Sequence, residues 1–164
     1  MPAAKLYTRP QLQEIVNLEV IAGAVACTLS ASTPATVYQL QSRDYSAGVA
    51  ANALLNYTVG AEGAVLNDIQ AAVIATIASD VIVYLFTSND GGATKRLRAT
   101  ATIKAQTINT TTAPVPAKFQ SAGATWATVD DPRRLAPGTQ IYIGVATATS
   151  VVVTGELQEY KRFA

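Results

Sequence analysis

Carboxylates are the first side chains in this sequence that could carry chemistry. Asp130 and Asp131 are the only adjacent pair, and paired carboxylates can bind Ca²⁺ or share a proton in acid–base catalysis. A calcium site needs several more oxygen ligands at close spacing, and only scattered groups such as Asp80, Asn89 and Asp90 are available. The pair therefore predicts a solvated turn. A second catalytic carboxylate could come from elsewhere in the fold, although nothing in the sequence points to a particular residue.

The sequence lacks the residues that usually support nucleophilic catalysis. The chain has no His, which removes the commonest general base and a favoured metal ligand. No Gly-x-Ser-x-Gly elbow is present, and a Lys base has no supporting motif. Cys27 is alone in an apolar setting, which is typical of a buried structural thiol. The Gly-rich run at 60–63 lacks the ending of a phosphate loop and predicts a strand-linking turn. We expect no catalytic residue, no metal site and no cofactor.

Composition indicates one folded domain. Of the 164 residues, 49% are hydrophobic and 14% are charged, and the net charge is +1, so a disordered chain is excluded. Basic residues are scattered, and the pairs Arg133-Arg134 and Lys161-Arg162 are interpreted as solvated surface, which argues against a nucleic-acid partner. The N-terminus has no apolar signal region and no window is typical of a membrane span. The sequence predicts a soluble chain made in the cytoplasm, without a membrane partner.

Alternation of apolar and polar residues is the dominant pattern, and it predicts strands. Between residues 95 and 104 one face is apolar and the other carries Arg, Thr and Lys. The apolar positions of that strand are Leu97, Ala99, Ala101 and Ile103. The preceding segment, 81–86, is apolar on both faces. The run 88–92 joins the two, and its Asp-Gly-Gly centre suits the positive-φ positions of a turn, so a hairpin is predicted.

Further strands complete an all-β prediction. Two segments rich in β-branched residues, 140–146 and 150–157, predict a second hairpin near the C-terminus. Other candidate strands span 17–20, 36–40, 54–59, 65–77 and 115–119. About eight short strands separated by turns predict a single antiparallel β-sandwich, jelly-roll-like. Residues 109–114 predict an exposed loop.

The N-terminal region is predicted to differ from the rest. Residues 9–20 are compatible with a short helix or an extended arm, and residues 21–29 are interpreted as a strand. We therefore divide the chain into an N-terminal arm, 1–14, and a β-sandwich domain, 15–164.

Two features suggest surfaces that bind protein. Trp126 follows Gly123-Ala124-Thr125, so it is either a lone exposed aromatic that anchors an interface or a ring folded over the sandwich end. The two-faced apolar strand at 81–86 needs a cover on its second face, because one face of a small antiparallel sheet is normally wet. A helix, a loop or another subunit could provide that cover.

Several strand and turn segments resemble those of small tailed-bacteriophage virion proteins. These segments are residues 56–66, 83–86 with 89–92, 135–139 and 151–154. The resemblance covers roughly the last two-thirds of the chain. It implies a head decoration or cement protein on the capsid surface of the virion, with the major capsid protein as partner and a homo-oligomeric state, dimer or trimer. The Ala-rich N-terminal third departs from the pattern.

The capsid hypothesis assigns the binding surface to the sandwich loops and the N-terminal arm. Its candidate interface residues are Leu6, Tyr7, Arg9 and Trp126. One alternative is a tail, collar or fibre-attachment protein with the same sandwich. An alternative of another class is a carbohydrate-binding β-sandwich, against which the scarcity of Trp weighs.

Overall fold

The computed structural model describes residues 52–121 and 124–160, together with the backbone of two N-terminal strands. The described strands, in chain order, are β1 Gln11–Glu14, β2 Leu18–Val20, β3 Leu54–Thr58, β4 Ala64–Val73, β5 Val81–Ser88, β6 Arg96–Ile103, β7 Ala117–Lys118, β8 Gln120–Ser121, β9 Ala124–Thr125, β10 Arg133–Leu135, β11 Gln140–Val145 and β12 Val151–Glu159. Within this described part, no helix is long and apolar enough to cross a membrane.

Within the described residues, two antiparallel sheets of six strands each form the fold, which confirms the all-β sandwich prediction. In the first sheet the order is β1-β12-β4-β10, with β2 also on β12 and β7 also on β4. In the second sheet the order is β3-β11-β5-β6-β8-β9. The longest pairing joins β4 and β12 over nine residue pairs, so these two strands are the centre of the first sheet.

The core lies between the two sheets. β4 contributes Leu66, Ile69 and Val73, each at most 3% exposed, and β12 adds Val151 and Val153. The facing side chains come from β5, β6 and β11, and they are Val81, Val83, Leu85, Ala99, Ala101, Ile103, Ile141, Ile143 and Val145. Burial of alternate apolar residues from both sheets supplies the main favourable free energy of folding.

The predicted hairpin between β5 and β6 is confirmed. Gly91 and Gly92 have φ of 71° and 91°, the left-handed region that glycine occupies without steric cost. Ser88 Oγ accepts a hydrogen bond from the Gly92 amide at 2.9 Å and donates one to Asp90 Oδ1 at 2.7 Å. The turn is therefore held by its own side chains as well as by glycine.

The other predicted turns are also present. The run at 60–63 links β3 to β4, with the Gly63 amide donating to the Gly60 carbonyl at 3.1 Å and a φ of 84° at Gly63. Around the exposed loop predicted at 109–114, Asn109 Oδ1 accepts the amides of Thr111 and Thr112, each at 2.9 Å. Local polar and glycine patterns thus indicate turns correctly where the hydrogen bonds are local.

A bulge in β6 corrects one predicted face. Leu85 lies opposite Ala99, but Phe86 lies opposite Leu97, so Arg98 is the extra residue of the pair. A bulge reverses the alternation beyond it. The prediction that Leu97 shares a face with Ala99 is therefore wrong: Leu97 packs in a second cluster, away from the main core.

The second cluster covers the outer face of β5. It consists of Ala53, Tyr84, Phe86, Leu97 and Tyr142. Tyr84 and Phe86 are only 4% and 0% exposed, while Ile82 on the same strand is 38% exposed. The two-faced apolar strand is thus largely covered within the chain itself, and the segment before β3, which holds Ala53, is part of that cover.

The predicted C-terminal hairpin is wrong. β11 pairs with β3 and β5 in the second sheet, whereas β12 pairs with β1, β2 and β4 in the first. The link between them carries the chain from one sheet to the other. Both segments have the composition of strands, but composition does not specify which neighbour a strand selects, because pairing depends on burial and register.

The structure decides in part between the two alternatives for residues 9–20, a short helix and an extended arm. β1 and β2 both run antiparallel to β12, with Gln11 opposite Glu159 and Val20 opposite Val151. Over these two strands the extended alternative holds rather than the helix. The strands predicted at 21–29 and 36–40, and the environment of Cys27, lie outside the described residues.

Candidate functional site

The four predicted interface residues have different outcomes. Leu6, Tyr7 and Arg9 lie outside the described residues. Trp126 is 7% exposed and belongs to the main core, and its amide donates to the carbonyl of Phe119 at 2.7 Å. It is therefore not an exposed anchor in this chain, and the alternative of a ring folded into the sandwich describes it.

Trp126 instead forms part of the wall of a cleft that the sequence did not reveal. The cleft has a volume of about 290 Å³ and lies where the end of β5 and the start of β6 approach β10. We call it the arginine cleft, because Arg98, Arg133 and Arg134 line it. The remaining lining residues are Thr87, Asn89, Trp126, Leu135, Ala136 and Thr139. No carboxylate occurs among these described lining residues.

Arg98 reaches the cleft because of the bulge in β6. Its Nε donates a hydrogen bond to Thr87 Oγ1 at 2.7 Å. Burial lowers the pKa of the Arg98 guanidinium, and the positive charge of Arg96 lowers it further. Arginine nevertheless stays protonated in proteins. The bulge thus holds a positive charge at a partly desolvated position, where its interaction with an anion is screened less than at an open surface.

Arg133 is positioned by the turn before β10. Its Nε donates to the carbonyl of Trp126, and one terminal nitrogen lies 3.2 Å from Asp131 Oδ2. The Asp131 amide in turn donates to Thr128 Oγ1 at 2.9 Å. The adjacent carboxylates therefore occupy an exposed turn, as predicted, and Asp131 orients a guanidinium there. Arg134, the next residue of β10, is exposed.

A second recess of about 220 Å³ continues the cleft. It shares Thr87, Asn89 and Arg98 with the arginine cleft and adds Asp90, Thr94 and Arg96. Hydrogen bonds from the Ser88 hydroxyl and the Thr94 amide hold the pKa of Asp90 at about 2, so this carboxylate is ionised at neutral pH.

Together the two recesses collect four arginines and one carboxylate from the described residues. The whole chain has only twelve Lys and Arg residues, so a third of its cationic side chains meet at one end of the sandwich. The excess of guanidinium groups over lining carboxylates favours anions as ligands of these recesses.

This arrangement is suited to binding. Guanidinium groups present several N–H donors in a planar fork that matches carboxylate and phosphate oxygens. Thr139 Oγ1 donates to Asn89 Oδ1 at 2.8 Å, which orders the wall between the two recesses. Among the residues that the structure describes, no three Cys, Asp or Glu side chains are grouped to hold a metal ion.

Sequence reasoning missed this site for a physical reason. Arg133-Arg134 was interpreted as solvated surface, and Arg98 was assigned to the wet face of a regular strand. The unpredicted bulge turns Arg98 toward β10. The signal available in the sequence was the cluster of three basic residues at 95–98, shortly after a Gly-rich turn.

Comparisons with models of known protein families, with curated proteins and with solved structures find no match to this chain.

Proposed function

We propose that this chain is a structural protein of a virus particle, a decoration or cement protein that binds neighbouring capsid subunits on the head. The resemblance of its strand and turn segments to small tailed-phage virion proteins suggests this role. The observation that best supports protein binding is the arginine cleft at one end of a well-packed sandwich. Arginine is enriched in protein interfaces and is frequent among the residues that dominate their energy.

Exposed apolar residues next to polar groups add to this support. Val129 is 72% exposed and lies in the turn that carries Asp131, the ion-pair partner of Arg133. On β3, the outermost strand of the second sheet, Leu54 and Leu55 are 43% and 49% exposed. Such residues gain free energy when a partner covers them. A partner seated on the cleft end would contact Val129 as well as the arginines.

In the proposed mechanism, each copy of the chain adds a protein interface to the capsid shell, and the shell carries many copies. One contact between a small domain and a capsid subunit is modest, but a ligand that binds only the assembled state stabilises that state by mass action. Contacts to more than one subunit at a time raise the effective affinity further. The chain would act without chemical change of its partner.

Binding to shells tests the proposal. Purified protein is added to capsid shells that lack it, and bound protein is measured by co-sedimentation together with the temperature at which the shells release their contents. We expect binding at many copies per shell and a higher release temperature. Failure to bind, with equal heat resistance in both samples, would overturn the proposal, and a handful of copies per complete particle would favour the tail or collar alternative.

The carbohydrate-binding alternative gains no support from the site. Sugar rings stack on exposed aromatic faces, and Trp126 is 7% exposed. The arginine cleft offers charged donors to an anion rather than an apolar platform to a neutral sugar.

A further inference from the structure

We propose that the arginine cleft recognises carboxylate side chains from an acidic segment of the protein partner. This inference rests on the proposed function, because it names the chemistry by which the chain would find its place on the capsid. It is carried by the placement of Arg98, Arg133 and Arg134 around one recess whose described lining residues include no carboxylate, with Asp131 in contact with Arg133 from the neighbouring turn.

Two of the three guanidinium groups are held in place by contacts within the chain. Arg98 is anchored to Thr87, and Arg133 is anchored to the Trp126 carbonyl and to Asp131. These contacts reduce the side-chain entropy that is lost when a ligand binds. Arg134 is exposed at the rim, where it can close over a bound carboxylate. A guanidinium binds a carboxylate with two parallel N–H···O bonds.

The size of the cleft is compatible with side chains as ligands. Its volume is about 290 Å³, with an adjoining recess of about 220 Å³. One or two carboxylate side chains fit this space.

The negatively charged residues around the cleft disfavour binding of a nucleic acid. A phosphodiester backbone is continuous, and its binding requires a basic surface that extends beyond one recess. Here Asp90 lies in the adjoining recess, and Asp130 and Asp131 lie on the exposed turn beside Arg133. The whole chain has a net charge of only +1. A localised carboxylate meets the arginines and avoids these flanking negative charges.

Peptide binding tests the inference directly. A short, terminally blocked glutamate peptide is titrated against the full chain at low salt, alongside inorganic phosphate and a short single-stranded DNA. The test variant is Arg134→Gln, which removes a rim charge at an exposed position. The matched control is Lys104→Gln, which removes one charge from an 80% exposed side chain paired with Asp80. Thermal melting verifies that both variants fold.

We expect the wild-type chain to bind the glutamate peptide more tightly than either other anion. Arg134→Gln should weaken that binding about three- to five-fold, the size expected when an exposed charge pair is lost. Lys104→Gln should leave it within about two-fold, because an exposed and distant charge is screened. Arg134→Lys should recover only part of the affinity, because it restores the charge without the planar fork.

Three results would overturn the inference: no binding of the glutamate peptide, equal binding by wild type and Arg134→Gln, or tighter binding of DNA or phosphate than of the peptide. The shell experiment separates this failure from that of the proposed function. Shells that bind wild type and Arg134→Gln equally well would refute the role of the cleft while the decoration role stands. Shells that bind neither would refute the decoration role.

Discussion

Tyr57 and Glu159 connect the two sheets through one hydrogen bond. Tyr57 lies on β3 of the second sheet, and its hydroxyl donates to Glu159 Oε1 on β12 of the first. The same oxygen accepts the amide of Gly60 at 3.0 Å. Burial raises the pKa of Tyr57, and the hydrogen bond to Glu159 and the negative charge of that residue raise it further. The contact therefore requires a protonated Tyr57.

Tyr57→Phe should lower the free energy of unfolding by about 1–2 kcal/mol at neutral pH, because a partly buried hydrogen bond to a charged group is lost. The pKa of Tyr57 is raised in the folded state from an ordinary value of 10.0. Its contribution is therefore complete below pH 10 and declines as pH rises above that value. Urea unfolding of both proteins, at neutral pH and at about pH 11, measures the difference.

Tyr160→Phe is the matched control for this change, since it removes a phenolic hydroxyl from a partly exposed residue one position after Glu159. We expect it to alter stability by less than about 0.5 kcal/mol. A Tyr57→Phe effect that is no larger, or that persists unchanged at high pH, would contradict the inter-sheet role.

The contribution of Asp90 to the stability of the fold has the opposite pH dependence to that of Tyr57. Its ordinary pKa of 3.8 is lowered to about 2 in the folded turn by hydrogen bonds from Ser88 and Thr94. The stabilisation is present above pH 3.8 and is lost as pH falls through about 2. Asp90→Asn keeps an acceptor oxygen but not the charge, so wild type should be more stable than this variant at neutral pH and lose that advantage in acid.

Thermal melting over that pH range tests the Asp90 prediction. Asp130→Asn, on the exposed turn before β10, serves as the carboxyl-to-amide control. Parallel pH profiles for wild type and Asp90→Asn would show that the charge of Asp90 does not stabilise the hairpin turn.

At the scale of elements, the backbones of β4 and β12 approach each other so closely at Gly155 that no side chain fits between them. A Cβ added at Gly155 of β12 would lie 2.4 Å from the backbone oxygen of Asp68 and 3.1 Å from Ile69 Cα on β4. These are backbone atoms of a buried strand, so they cannot move aside cheaply. Gly155→Ala should therefore lower the free energy of unfolding by about 1–3 kcal/mol.

Chemical denaturation measures the Gly155 effect. Gln158→Ala, at a partly exposed position of the same strand, should change stability by less than about 0.5 kcal/mol. If the two substitutions have equal effects, the close approach of β12 to β4 at Gly155 is not a feature of the folded protein.

The elements show which parts of the fold a sequence can predict. β6 and the β5–β6 hairpin follow from alternation and an Asp-Gly-Gly turn, since both are local properties. The partners of β11 and β12 are not local: each strand is apolar and β-branched, and either could pair with the other. The bulge at Arg98 is also invisible to an alternation pattern, because Leu97 is an acceptable core residue on either face.

The candidate site cannot be predicted from the sequence for the same reason, because its residues are brought together by non-local packing. Its arginines come from β6 and β10, which are about thirty residues apart in sequence and meet only through the packing of the two sheets. Each arginine taken alone is typical of solvated surface. The sequence offers Trp126 as a lone aromatic that could anchor an interface, and its burial beside Arg133 makes it part of the cleft wall instead.

At the scale of the whole molecule, recognition through the arginine cleft should depend on salt. The chain has little net charge, so attraction comes from the local field of the cleft rather than from the molecule as a whole. The Debye length falls from about 10 Å at 0.1 M salt to about 3 Å at 1 M. Binding to capsid shells should weaken with added salt in wild type, and less steeply in Arg134→Gln.

Co-sedimentation with shells across a salt series measures these slopes, and Lys104→Gln should follow the wild-type curve. Identical slopes for wild type and Arg134→Gln would contradict an electrostatic role of the cleft in docking.

The central claim is that the chain decorates a capsid, and electron microscopy of the intact virus particle tests it most directly. We expect density for this sandwich at regular positions over the head surface, in many copies, with the arginine cleft turned toward acidic residues of a neighbouring subunit. A particle whose head surface carries no such density would contradict the claim.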